Sequence, residues 1–282
     1  MDKLFALLGM LGNTGHDLIL KATAKHRGGG QLILFYLIQA LLILLCTLAA
    51  IPVFDLGPLI HPASIRYGVP IGVGTFVLYM LVLLSLVNGE VSTNITVFRL
   101  NFVVSSVLAV LILGEILTVR KIIGLTFCCA AMLVLFLATP RQRRRTHSGL
   151  GYSVLACLVA GGLNVLIKTA FNNGVLLAQV ILYRYLTVAL LAGMLFLFKR
   201  RPNEPSGGGI HLLALFSGAA MMFALYFTFA AFRIGDVALV TPINQLAFVF
   251  STTGAVLIFK EKLSALKIAA IVLAVASIIT IA

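Results

Sequence analysis

Charge is scarce in this chain. Of its 282 residues 10% are Asp, Glu, Lys or Arg and 61% are hydrophobic, whereas a soluble domain is roughly a quarter charged. No soluble surface can be built from that composition, so the chain reads as an integral membrane protein. Acid is scarcer still, with 8 acidic residues against 21 basic ones and a net charge of +13. In a soluble protein that surplus would suggest nucleic acid. Here the basic residues cluster in short loops between apolar runs, where they set orientation, and no nucleic-acid partner is required. Tryptophan is absent. The four cysteines, Cys46, Cys128, Cys129 and Cys157, lie inside apolar runs, which excludes a disulfide framework or a zinc site and leaves them as packing residues. A signal peptide is excluded as well, because the first apolar stretch carries Asn13, His16 and Asp17 in its middle and no small-residue cleavage site follows.

What the chain does have is long apolar runs. At 1.5 Å per residue about 20 apolar residues cross a hydrocarbon core, and ten segments of that length can be marked. They are Leu4 to Lys21, Leu32 to Ile51, Tyr67 to Val87, Val91 to Leu113, Val119 to Ala138, Gly149 to Ala170, Val175 to Phe198, Leu212 to Phe232, Val237 to Phe259 and Ala265 to Ala282. Their uninterrupted apolarity lacks the alternation of a membrane barrel, so the expected fold is all-α.

The chain also repeats itself. Residues 89–124 laid on residues 235–270, at an offset of 146 without a gap, agree at 14 of 36 positions. Apolar composition produces chance Leu and Val matches, but this register also aligns Gly89 with Gly235, Ser105 with Ser251, Glu115 with Glu261 and Lys121 with Lys267. Two copies of one unit follow, residues 1–140 and 141–282. With an odd number of segments in each, the copies enter the membrane from opposite sides, giving ten transmembrane helices as two inverted five-helix repeats. The first segments agree more weakly: Lys21 on Lys168 brings Gly15 onto Gly162 and Asp17 onto Asn164. Asn13, Asp17 and Lys21 share one helix face, as do Ala160, Asn164 and Lys168.

The closing motifs LGEILTVRKIIG and FKEKLSALKIAA, the Pro242 of VTPINQL, LYRYL around Arg184 and FALYFTFAAF around Tyr226 together resemble the ten-helix EamA-like branch of the drug/metabolite transporter superfamily. The resemblance covers nearly the whole chain; it departs at Thr96, where the first copy has no proline, and in the first helix, which lacks the family's usual tryptophan. It implies metabolite transport by alternating access through a central cavity between the repeats, often outward. It also implies cytoplasmic termini. Lys and Arg counting says the reverse: the loops after segments one, five, seven and nine hold twelve basic residues against five on the other side, which puts both termini outside a multi-pass inner-membrane protein.

Candidate site residues follow from charge at depth. Arg184 sits near the bilayer midplane, where an uncompensated Arg costs about 3 kcal/mol, and is the expected ligand for a substrate anion. Arg99, with Asn101 beside it, and Asn244 with Gln245, which aligns with Arg99, mark the two polar walls. Tyr79 and Tyr226 could stack on a substrate. Lys21 and Lys168, near segment ends, either snorkel to the interface or form a pair of gates. Asp17, the one acidic residue within the marked segments, and its neighbour His16 are the proton-coupling candidates; Asp17 could also neutralise Lys21 four residues on. Glycines 9, 12 and 15 and the run Ser217 to Ala220 read as close packing surfaces.

Counting Arg99, Arg184, Lys21 and Lys168 against Asp17 leaves three surplus positives, so the expected cargo is an organic anion or an amino-acid-like zwitterion carried by a secondary transporter. Proton-coupled export is one form of that reading. A lipophilic-cation exporter is the alternative within transport, and would need Asp17 unpaired. A membrane-embedded enzyme or a non-transporting subunit is the alternative outside it, but no HExxH, paired Asp or nucleophile with a base lies at membrane depth. No cofactor or metal is expected; the partners are a small-molecule substrate and lipid, with the chain a monomer or homodimer.

Overall fold

The computed structural model describes residues 1–23, 29–54, 61–88, 91–138, 148–199, 209–251, 254 and 265–281. Every regular element among them is helical. The helices are α1 (Asp2–Thr23), α2 (Gly29–Phe54), α3 (Pro62–Asn88), α4 (Val91–Arg99), α5 (Asn101–Leu108), which runs on as a π turn over Ala109–Leu113, α6 (Val119–Ala138), α7 (Ser148–Asn172), α8 (Leu177–Lys199), α9 (Gly209–Ile234), α10 (Val237–Gln245) and α11 (Ala265–Ile281). Four stretches, Pro62–Ser85, Gly149–Asn172, Leu177–Phe198 and Gly209–Ile234, are long and apolar enough to cross a membrane; shorter apolar helices cover Ile33–Ala49, Val97–Leu113, Val237–Ser251 and Ala265–Thr280. Large apolar side chains such as Leu45, Leu111, Leu190, Phe198 and Val272 stand on the outside, as lipid contact requires. Cys46 stands there too, while Cys128 and Cys157 pack inside.

Two of the expected continuous segments are broken. Val91 to Leu113 divides at Leu100, and Val237 onward turns at Leu246 before residues 247–251 resume the helix. The breaks are 146 residues apart, and the backbone tightens at each. Leu100 and Leu246 hold near-zero ψ, with φ/ψ of −69°/2° and −64°/−13°. The N–H of Leu100 bonds the carbonyl of Val97 and the N–H of Val103 that of Leu100; Leu246 bonds Ile243 and Val249 bonds Leu246, but there the i to i−4 bonds of Leu246 to Pro242 and of Phe250 to Leu246 persist beside them. The tight i to i−3 bonds are those of a 3₁₀ turn. Pro242, which removes a donor four residues before the second break, has no counterpart in the first copy, where residue 96 is Thr. The proline therefore cannot be the shared cause. What the breaks share is a polar residue just before each, Arg99 and Gln245, and these two bond each other.

Packing repeats with the same offset. The α1 with α9 contact has its counterpart in α3 with α7, and α2 with α9 in α3 with α8; α2 meets α8, α5 meets α10 and α6 meets α11 across the middle. The α1–α9 seam is made by missing side chains. A Cβ on Gly12 would lie 2.7 Å from the Ala224 nitrogen, one on Gly9 would lie 2.5 Å from Thr228 Oγ1, and one on Gly15 would meet Ala220 at 3.7 Å. As the residue number rises on α1 it falls on α9, so the two run antiparallel with backbones in near contact.

One corner is tied with charge. Helix α5 ends through its π turn at Gly114, whose φ of 69° is left-handed and suits glycine. The following Glu115 sends its carboxylate to the N–H groups of Val237 and Ala238, at 2.7 and 3.0 Å, and so caps α10 from another part of the chain. Lys121 pairs with Asp236, and Lys168 Nζ donates to the carbonyls of Phe232 and Gly235 at 2.7 and 2.9 Å.

Two outcomes follow. Gly12→Ala should lower stability by about 1–3 kcal/mol, because a methyl has to be fitted against the α9 backbone, whereas Gly162→Ala, whose Cβ would meet nothing within 4 Å, should leave the detergent-purified protein's melting temperature unchanged. Glu115→Ala should lower stability by about 1–2 kcal/mol as two N–H groups lose their cap, read in the same melting assay.

Candidate functional site

Between the two breaks lies a cavity of about 150 Å³. A water needs some 10–15 Å³ of such space, so on the order of ten waters or one small organic molecule would fill it. Its polar lining comes from both halves of the chain: Asn13 of α1, Asn101 of α5, Asn164 of α7, Arg184 of α8, Thr228 of α9, and Thr241, Asn244 and Gln245 of α10. Apolar walls are supplied by Leu78, Leu163, Leu225, Phe229 and Phe232, among others.

Behind one wall the expected polar residues form a network. Arg99 grips the Asp17 carboxylate with one nitrogen, at 2.6 and 2.7 Å, and donates from the other to Gln245 Oε1 at 3.2 Å. Gln245 in turn donates to Asn101 Oδ1 at 3.1 Å, and Asn101 donates to the Phe98 carbonyl. The Arg99 carbon also sits 5.7 Å from the Phe248 ring centre. Both partners of the ion pair are largely buried, with 13% and 9% of the side chains exposed. The acid within the membrane-depth segments is thereby held by Arg99, from another helix.

Arg184 is placed differently. It is 7% exposed, its guanidinium carbon lies 5.4 Å from the Tyr185 ring centre and 5.6 Å from that of Phe229, and its Nε has no hydrogen-bond partner. No carboxylate pairs with it among the described residues. Asn244, 5% exposed, accepts at Oδ1 from Thr228 Oγ1 at 3.2 Å and from Asn13 Nδ2 at 3.5 Å, while its own Nδ2 donates to nothing.

The remaining candidates lie away from the cavity. Tyr79 stacks on Tyr36 with ring centres 4.7 Å apart, and its hydroxyl is 3.4 Å from that of Tyr185, so it supports the residue beside Arg184 without lining the space. Tyr226 is 52% exposed and packs edge-on against Phe227; it faces outward, and the expectation that it stacks on a substrate does not fit that placement. His16 Nδ1 lies 2.7 Å from Ser217 Oγ at the α1–α9 seam. Lys168 neither snorkels nor lines the cavity, because its ammonium is held by the end of α9. Lys21 is in the last turn of α1, and its side chain lies outside the described residues, as do Glu261 and the second part of the ninth expected segment. Ser105 is also structural glue, donating to the Asn101 and Gly161 carbonyls and accepting from Asn164.

Sequence reasoning put Asn13 and Asn164 on polar faces without assigning them a site. Thr228, between two phenylalanines, gave no signal. Glu115 was visible as a repeated acid, but its use as a cap depends on a contact 122 residues away.

Comparison with known proteins agrees with this architecture. One solved structure, described only as the crystal structure of a protein, superimposes with a TM-score of 0.84 over 99% of this chain and 95% of its own, at 17% identity, and shows a shared fold. No curated protein matches the chain. Residues 147–282 match the model of the EamA-like transporter family. The second half of this multi-pass membrane protein is thus similar to the EamA-like transporter family.

Proposed function

We propose that the chain is a secondary active transporter that moves a small organic metabolite, anionic or amino-acid-like, by alternating access of the central cavity. The observation that carries this reading is Arg184: a buried guanidinium lining a polar cavity, with a free donor and no acid among the described residues to meet it. A charge held at such cost within a membrane is a pathway residue by default. In this reading the ten expected spans form two inverted five-helix repeats. The doubled breaks at Leu100 and Leu246 support it, since interrupted helices at corresponding positions of two halves frame the binding site of many secondary transporters.

Alternating access needs a face that can close. The ties of Glu115, Lys121 and Lys168 on residues 232–238 support that role for the α9–α10 corner, with Lys168 as the gate lysine. Asp17 enters through proton coupling: protonating its carboxyl would remove the charge that holds Arg99 and loosen the wall that joins the two breaks. The loop charges support termini outside the inner membrane. A cation exporter has less support, because both oxygens of Asp17 are already held by Arg99.

Reconstituted protein should move at least one solute of a metabolite panel across liposomes, and Arg184→Ala should abolish that flux while still eluting as a folded protein; full flux in the variant would refute the assignment. Asp17→Asn should cost about 3–5 kcal/mol by leaving Arg99 buried and unpaired. Adding Arg99→Gln should restore part of that loss, as read by thermal unfolding of the single and double variants.

A further inference from the structure

Two residues that line the cavity each carry a buried donor with nothing to donate to, and they bracket one stretch of α9. Thr228 bonds the Asn244 side chain whose Nδ2 is free, and the next residue, Phe229, lies under the Arg184 guanidinium whose Nε is free. The acceptors of the Arg99 and Asn244 networks are already taken, which leaves the amide oxygens of Asn13 and Asn164, on the other walls, as the cavity's remaining side-chain amide acceptors. Asp17 Oδ1 and Oδ2 receive Arg99, Gln245 Oε1 receives Arg99, Asn101 Oδ1 receives Gln245, and Asn244 Oδ1 receives two donors. A buried donor without an acceptor loses about 1–3 kcal/mol that a ligand can recover. A ligand supplying acceptors therefore gains at both ends of this stretch, whereas an ammonium would meet a free cation and a free amide N–H.

We infer that the cargo is a small organic monoanion without a cationic group, its carboxylate or equivalent received by Arg184 and by Asn244 Nδ2. This rests on the transport reading above and narrows it, excluding the zwitterionic half of that substrate range. Arg184 is the cation among the described residues that line the cavity, which argues for one negative charge; Lys168 and Lys121 are held at the α9–α10 corner. The cavity, about 150 Å³, has room for on the order of ten non-hydrogen atoms.

The test is thermal stabilisation of the full-length purified protein by matched five-carbon probes: pentanoate, pentanesulfonate, pentanamide, pentylammonium, norvaline and glutarate. Pentanoate and pentanesulfonate should stabilise, and the other four should do so roughly tenfold or more weakly. Arg184→Gln should remove the response to both anions. Asn244→Asp keeps the acceptor for Thr228 and replaces the free donor with an acid; it should lose the anion response and gain one to pentylammonium, a reversal that mere loosening of the fold would not produce. Should Asn244→Asp fail to fold, Arg184→Gln carries the test alone. Preference for norvaline or pentylammonium in the unaltered protein, or no response to either anion, overturns the inference. Transport is read separately, by pentanesulfonate flux in proteoliposomes. Stabilisation without flux would leave the anion site standing and remove the transport reading; flux of zwitterions or cations from a broad panel without anion binding would do the opposite.

Discussion

The end of a broken helix leaves backbone groups unmatched, and in a low-dielectric interior such a break persists only where side chains fix it. In this molecule the Arg99 guanidinium fixes two at once. It stands immediately before the break at Leu100, reaches Gln245 immediately before the break at Leu246, and has its charge met by Asp17 of α1. A buried ion pair is marginal in energy because each ion must be stripped of water. Short contacts from one Arg99 nitrogen to both Asp17 oxygens, and a bond from the other to Gln245, offset that here. Three separate parts of the chain, α1, the α4–α5 break and α10, are therefore held in one register, and the cavity opens beside them.

That register depends in turn on how closely α1 can approach α9. Glycines at positions 9, 12 and 15 let the backbones come within van der Waals contact, which brings Asn13 and Thr228 onto the same oxygen of Asn244. A side chain at Gly9 would strike Thr228 Oγ1 and Asn244 Oδ1 directly. The small residues thus bear on the site as well as on packing: they orient the Asn244 amide so that its oxygen is used and its nitrogen is left without a partner.

How much of this could be read from sequence depended on which residues carried the signal. The repeated stretch stands out in the sequence because Glu115 with Glu261 and Lys121 with Lys267 are not apolar coincidences, and the four clear spans were legible because lipid demands long apolar runs. The breaks were not. They fall at Leu100 and Leu246, residues with no breaking tendency, and the one visible cue, Pro242, occurs in a single copy. Partners were missed for a related reason. Sequence spacing offers Asp17 a neighbour at Lys21, whereas the fold offers it Arg99, 82 positions away and already buried. Tyr226 failed for want of a polar face to orient it: a helix apolar all round does not declare which side meets lipid.

Counting charges at depth gave three surplus positives, and the fold redistributes them. Asp17 cancels Arg99, Lys168 is held by the carbonyls that end α9, and Arg184 is the described cation that faces the cavity unmatched. How it remains there is informative. Its guanidinium rests on the rings of Tyr185 and Phe229, which attract its charge through their faces without accepting its in-plane N–H groups in the way an oxygen would. A carboxylate in place of either ring would satisfy the donors and compete with any incoming anion. Aromatic support lowers the cost of the empty state and leaves the donors available. A carrier needs that balance, since a site that holds its charge too well with protein groups cannot bind cargo, and one that leaves it bare cannot stay folded.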